Sequence, residues 1–254
     1  MIGIVSHVGD MKAQIAEQIH VRRGAETHAL GSRWTVDEVP LARHDAFLDP
    51  DLRTSEQTPV TPQRWRCDLQ EVLPMNAMVY SDIGGHMLFN IHHLRIGREQ
   101  EFLINLGFAS MGHGTVAPIG GKMANPDRPV FAIVGDACFT MNGMELLVAA
   151  EYDVPVIWIV ENNNMHGVTW HGSKKVSGGR PMKSIAYRKK LHVAEIGAAM
   201  GLDAYVVDGP GQIQAVVRKA LAANRPTVIE VLVDPTIAPP LQDRAEVIGG
   251  FGRE

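Results

Sequence analysis

The chain has 254 residues, a length that admits one or two domains. It is 45% hydrophobic and 20% charged with a net charge of −4, so a globular protein is expected and no nucleic-acid partner is implied. Two cysteines, Cys67 and Cys138, give no disulfide framework and no cysteine-rich metal or iron–sulfur site. No apolar run reaches membrane-spanning length and no signal peptide is visible at Met1, so cytoplasmic residence with no membrane partner is the default expectation.

In chain order, residues 20–66 are polar and rich in turn formers. They read as a linker or arm lying on a neighbouring subunit, or equally as a solvated loop. Arg22, Arg23 and Arg33 either meet an acidic partner or are simply solvated. Val130 to Val134 reads as a buried strand ended by Gly135. Met141 to Tyr152 reads as a helix, with Met141, Met144, Leu147 or Val148, and Tyr152 on one face. Asn142 followed by Glu145 is the pattern of a capping box at its start. Pro155 punctuates, and Val156 to Val160 is a second buried strand. Met165 to Pro181, with its glycines and cations, reads as a mobile cover in which His166, His171, Lys174 and Lys175 could meet a carboxylate and Trp170 could wall an apolar pocket. A helix at Leu191–Met200 and another at Gln212–Ala223 flank a strand at Ala204–Val207.

This alternation predicts a parallel sheet, and ligands in such sheets bind beyond the carboxyl ends of the strands. Asp136 and Asn163 fall at two such ends, one strand–helix–strand unit apart. Their oxygens suit a hard cation, which in turn holds phosphate. The alternative on these short motifs alone is an ordinary turn at Asp136 and helix-capping asparagines.

The full stretch GDACFTMNGMELLVAAEYDVPVIWIVENNNMHG resembles the diphosphate-binding signature of thiamine-diphosphate enzymes, and most closely the acetolactate synthase-like 2-oxo acid decarboxylases and carboligases. VYSDIGGHMLF (79–89), FLINLGFASMGHGTVAPIGGKMANPDRPVFAIVGD (102–136) and RPTVIEVLVDP (225–235) extend the resemblance from about Pro62 to Pro240. It implies a doubly wound α/β fold, with a mainly parallel sheet flanked by helices. Residues 62–254 would be the diphosphate-binding domain. Residues 1–61 would be an N-terminal helix and arm, in which VGDMKAQIAEQI (8–19) looks like the last helix of a middle domain.

By the resemblance, Asp136, the Asn163 side chain and the backbone carbonyl of Met165 hold Mg2+. Gly135 and the amides of Ala137 and Cys138 meet the diphosphate from one side. Gly84, Gly85 and His86 meet it from the other, and His166 and Gly167 complete the cofactor-binding set. Met111 matches the apolar wedge that bends the cofactor, and the Ala109 carbonyl matches the acceptor for its aminopyrimidine amine. His113 is either a specificity element or a packed loop histidine. Two positions depart from the signature: Ala137 stands for its third glycine, and Cys138 stands where serine or threonine is common.

Such enzymes also need a glutamate that protonates the cofactor's pyrimidine, carried by a separate pyrimidine-binding domain. No segment here resembles that domain. The expectation is one half of a split enzyme acting on a 2-oxo acid, in a hetero-oligomer whose partner chain supplies the glutamate; a fragment of a longer chain is the alternative. Two rival functions stay open: a subunit of a 2-oxo acid oxidoreductase, and a non-catalytic homologue.

Overall fold

The computed structural model describes residues 21–23, 34–36 and 49–240. The expected helix at 8–19, Arg33 and the tail beyond 240 lie outside the described residues. Contacts divide the chain into Met1–Ala46 and Phe47–Glu254. In the first unit, β1 (Val21–Arg23) pairs antiparallel with β2 (Trp34–Val36). The division falls earlier than residue 61 because the segment before Pro62 packs with the second unit. Val60 is fully buried and bridges Val233.

In the second unit, α1 (Pro62–Gln70) begins where Thr61 Oγ1 accepts the Arg64 amide at 3.0 Å and Pro62 takes the first helical position. There follow β3 (Met78–Ser81), α2 (Gly85–His93), β4 (Glu101–Ile104), α3 (His113–Ala124) and β5 (Val130–Gly135). Then come α4 (Asp136–Asn142), α5 (Leu146–Glu151), β6 (Val156–Asn162), α6 (Gly167–Val176), α7 (Val193–Ala199), β7 (Asp203–Val207), α8 (Gln212–Ala223) and β8 (Thr227–Leu232). The six strands β3–β8 form one sheet in the order β4-β3-β5-β6-β8-β7, every pair parallel.

Alternation along β5 explains why its whole length is apolar. Phe131 and Ile133 point into a core with Trp65, Leu69, Ile213 and Val217 from α1 and α8. Val130, Ala132 and Val134 point into the opposite core with Ile119, Phe139, Leu146 and Val193 from α3, α4, α5 and α7. A strand covered by helices on both faces has no polar side. After β4 the chain returns across β3 to build β5, so strand order reverses between β3 and β5. That reversal opens a crevice at the carboxyl ends of these two strands.

Two expectations are corrected. The segment 141–152 is not one helix starting at Asn142. α4 starts at Asp136, because the Asp136 carboxylate accepts its own helix's Ala137 amide at 2.7 Å, and a 3-10 turn at Gly143–Glu145 separates α4 from α5. Asn142 caps nothing with its side chain; its Oδ1 lies against Gly112 instead. The apolar face read from the sequence exists, but it points outward: Met144 is 67% exposed and Tyr152 70%, with Met141, Leu147 and Val148 also exposed. The core side of these helices is Phe139, Leu146 and Ala149. Second, the segment 165–181, read as a mobile cover, contains a regular helix. That helix is α6, which starts just after the bridge between Met165 and Ala186 and runs through Gly172 in spite of that residue's low helix propensity.

Candidate active site at the carboxyl ends of β3, β5 and β6

Twelve of the fourteen expected site residues line one cleft: Gly84, Gly85, His86, Met111, Gly135, Asp136, Ala137, Cys138, Asn163, Met165, His166 and Gly167. The other two, Ala109 and His113, do not line it, and both are exposed. His113 stands at the first turn of α3, turned to solvent. Ala109 adopts a left-handed φ of 58°, at the tip of the loop that carries Met111.

Register brings the ligand candidates together. Gly135 pairs with Glu161 across β5 and β6, so Asp136 and Asn163 leave the sheet side by side. The three asparagines then divide their work. Asn162 Nδ2 donates to buried Glu230 at 2.7 Å, turning away from the cleft. Asn164 is in the left-handed region at φ 59°, and its side chain ties residues 187 and 191 at 3.1 and 3.0 Å. Asn163 is left for the cleft, and a Cβ at Gly167 would sit 2.4 Å from Asn163 Nδ2, so only glycine leaves that side chain room.

Asp136 Oδ2 and Asn163 Oδ1 both accept the Met165 amide, at 3.1 and 3.2 Å. Met165 faces Ala186 in an isolated antiparallel bridge, with hydrogen bonds on either side (His166 N–H to the Ile185 carbonyl, Tyr187 N–H to the Asn164 carbonyl). That is a non-hydrogen-bonded pair, in which both polar groups of Met165 point away from Ala186. The Met165 carbonyl therefore lies on the same edge as its N–H, the edge away from Ala186. A carboxylate, an amide oxygen and a backbone carbonyl make a hard-cation donor set. No group of three or more His, Cys, Asp or Glu suited to a metal occurs among the described residues, so any cation here would need further oxygens from a ligand or water. Burial pushes the Asp136 carboxyl up to about 7, against the opposing pull of the amides it accepts.

The opposite wall belongs to α2. His86 is 4% exposed, and its Nε2 has no hydrogen-bond partner. Burial pushes its pKa below the ordinary histidine range. A Cβ at Gly84 or Gly135 would approach the His86 ring to 2.8 Å. These glycines thus make room for the imidazole, a different reason from the close anion approach expected of this loop. An orphaned, buried imidazole nitrogen across from an oxygen-rich corner fits a group carrying several acceptor oxygens, such as a diphosphate bridged to a cation, whose charge would favour the doubly protonated ring in which Nε2 donates.

The departures at 137 and 138 have physical readings. The Ala137 amide is already engaged by Asp136. Cys138 Sγ donates to the Ile83 carbonyl at 3.2 Å, tying α4 to the His86 loop, and burial pushes its thiol well up, so it is an inert packing group. Met111 lines the cleft and packs on the α3–α5 core.

Three important side chains escaped the sequence reading. Asp82, fully buried at the end of β3, accepts the Gly112 amide at 2.9 Å, the Thr115 amide at 2.9 Å and the Thr115 hydroxyl at 3.0 Å. It fixes the loop that carries Met111. Gly112 takes φ 91°, and a Cβ on Gly114 would lie 2.5 Å from the Asp82 amide, so the glycines of this loop serve its seating on Asp82. Glu161 lines the cleft, paired at 2.6 Å with fully buried Arg66. A run of Ser-Asp after a strand was the only available signal for the first; the second pair is 95 residues apart and left none.

Comparison with known proteins gives the family. Residues 82–231 match the family described as thiamine pyrophosphate enzyme, C-terminal TPP binding domain. The chain is 28% identical over 192 residues to a probable acetolactate synthase large subunit of Methanocaldococcus jannaschii, covering 73% of this chain and 32% of that protein. It is 27% identical over 179 residues to the acetolactate synthase isozyme 1 large subunit of Escherichia coli, covering 68% and 32%. It is 27% identical over 248 residues to a sulfoacetaldehyde acetyltransferase of Alcaligenes xylosoxydans xylosoxydans, covering 91% and 39%. The chain thus spans about a third of the length of these curated relatives. The matched segment contains the whole cleft, and on that ground the chain belongs to the thiamine pyrophosphate enzymes, through their C-terminal TPP-binding domain.

Proposed function

We propose that this chain is the diphosphate-binding subunit of a split, cytoplasmic thiamine-diphosphate enzyme. It would hold the cofactor through Mg2+, while a separate pyrimidine-binding polypeptide supplies the activating glutamate. The reaction is decarboxylation of a 2-oxo acid, ending in aldehyde release or ligation to a second carbonyl compound. The observation that carries the reading is the convergence of Asp136, Asn163 and Met165 opposite His86, with Met111 on the same cleft.

In this reading Asp136, Asn163 and the Met165 carbonyl hold the cation, and His86 Nε2 meets a diphosphate oxygen. Met111 props the rings, and α6, through Val168 and Thr169, covers the diphosphate end. Bound thiamine diphosphate supplies an electron sink for loss of carbon dioxide. The chain's own part is to bind, orient and keep water out. The segment that follows the Asn163 corner is basic, with seven lysines and arginines and no acid between Asn162 and Ala194, which favours an anionic substrate.

The partner has a candidate seat. Met141, Met144, Leu147, Val148 and Tyr152 form an outward apolar face on α4 and α5, and Phe108 is 89% exposed on the Met111 loop. Apolar patches of this kind mark interaction sites. Titrating thiamine diphosphate into the chain with Mg2+ and the partner present tests the proposal. Saturable, Mg2+-dependent binding that Asp136→Ala abolishes supports it. Absence of binding sinks it, and robust 2-oxo acid decarboxylation by this chain alone would refute the need for a partner.

A further inference from the structure

We infer that Arg66 is a positioning residue for His86, acting by locking the two walls of the cleft to each other. The inference rests on the proposed diphosphate reading for what His86 meets, but its geometry is independent of it. Arg66 is fully buried and spends its donors on three separate elements. Its Nε donates to Asn90 Oδ1 at 2.7 Å and its second terminal nitrogen to the His86 carbonyl at 3.0 Å, both on α2. Its first terminal nitrogen donates to the Pro62 carbonyl at 2.7 Å, at the start of α1, and to Glu161 Oε2 at 2.6 Å, near the end of β6. The guanidinium lies 4.2 Å from the Trp65 ring centroid, and Trp65 Nε1 donates to the same Glu161 oxygen at 3.1 Å.

This arrangement joins the His86 wall to the Asn163 wall through one planar group. Asn90 carries the chain one step further, donating to Ser81 Oγ at 3.0 Å at the end of β3. Charge gives the arrangement a second purpose. Glu161 borders a cleft that also contains Asp136, and a third carboxylate, Asp82, is buried just behind it. An anion entering there would meet an uncompensated Glu161 unless Arg66 took up its charge. Burying an ion pair is costly, and an apolar pair of similar size commonly serves stability as well or better. Stability alone therefore gives weak reason for a five-acceptor polar cluster under the cleft, whereas alignment of His86 requires it.

The test is a mutant cycle on the full chain. Arg66→Met/Glu161→Met removes the pair without leaving a lone buried charge; His86→Ala is made in both backgrounds, and thermal melts confirm folding. In the native background His86→Ala should weaken thiamine diphosphate binding, at saturating Mg2+, by about tenfold, the loss of one charge-assisted hydrogen bond. In the double-variant background the same change should cost less than about twofold, because the ring is no longer aimed. Equal losses in both backgrounds would overturn the inference and leave Arg66 a purely structural residue. A cofactor-free readout separates this from failure of the functional reading. In the native chain the His86 ring protons should give strong NOEs to the α protons of Gly84 and Gly135, which the ring lies against, and those contacts should weaken in the double variant. If the ring is unchanged in the double variant, the inference falls. If the ring behaves as stated but the native chain binds no cofactor, the proposed function falls alone.

Discussion

Removing the Asp82 carboxylate should both destabilise the chain and loosen its hold on Met111. Asp82 accepts four donors: the Ile83 amide at 2.8 Å, the Gly112 amide at 2.9 Å, and the amide and hydroxyl of Thr115 at 2.9 and 3.0 Å. The side chain is fully buried, so water does not replace it. A hydrogen bond to a charged acceptor contributes about 1.5–3 kcal/mol, and these bonds share one group and are not additive. Asp82→Ala should therefore cost roughly 3–5 kcal/mol, the range for breaking a buried charged network. Asp82→Asn keeps one acceptor oxygen and should cost about half as much. Urea unfolding at pH 7 measures both, and calorimetry with thiamine diphosphate and Mg2+ should show weaker binding for Asp82→Asn. A stability of Asp82→Ala within about 0.5 kcal/mol of native would refute the anchoring role, since that is the scatter of inconsequential surface changes.

Burial holds the Asp136 carboxyl near 7, so protons compete with the cation: apparent Mg2+ affinity should climb from pH 6 to pH 8 and then level off. The same shift fixes a sign for stability. The folded pKa lies above the unfolded value of about 3.9, so the contribution is full below pH 4 and is lost as pH rises through about 7, with Mg2+ restoring it; thermal melts without metal that rise over that window would contradict this. Gly135→Ala places a Cβ 2.8 Å from His86 Nδ1, so it should lower cofactor affinity by about tenfold while far-UV circular dichroism stays native. Met144→Asp with Leu147→Asp should leave the isolated chain folded, because both side chains are exposed, and should abolish pull-down of the partner chain; undiminished capture would remove that face from the interface.

The parts of the fold legible in the sequence were those set by local pattern. Residues 130–134 and 156–160 are runs too apolar to be anything but buried, and α8 begins and ends where its periodicity does, at Gln212 and Ala223. The Met141–Tyr152 stripe was legible as a stripe, but periodicity cannot say which of two apolar faces meets the core. α6 went unread as a helix because Gly167, Gly172 and its lysines weaken the helical pattern and the helix buries no residue. Twelve of the expected residues line the cleft, carried by the signature and by the resembling segments 79–89 and 102–136. Ala109 and His113 sit in the same stretch of sequence, yet the left-handed turn at Ala109 sets them outside the cleft wall. Arg66 and Glu161 met only through the fold, and two partners 95 residues apart have no shared pattern to read.

The central claim is that Asp136, Asn163 and the Met165 carbonyl hold a divalent cation bridged to a diphosphate. Crystals of the chain grown with Mn2+ and thiamine diphosphate, measured at the manganese edge, test it most directly. The account predicts one anomalous peak at about 2.1–2.2 Å from Asp136, Asn163 and the Met165 carbonyl, with the diphosphate completing the coordination and one oxygen within hydrogen-bond reach of His86 Nε2. A peak elsewhere, or cofactor density without metal between these three oxygens, would contradict it.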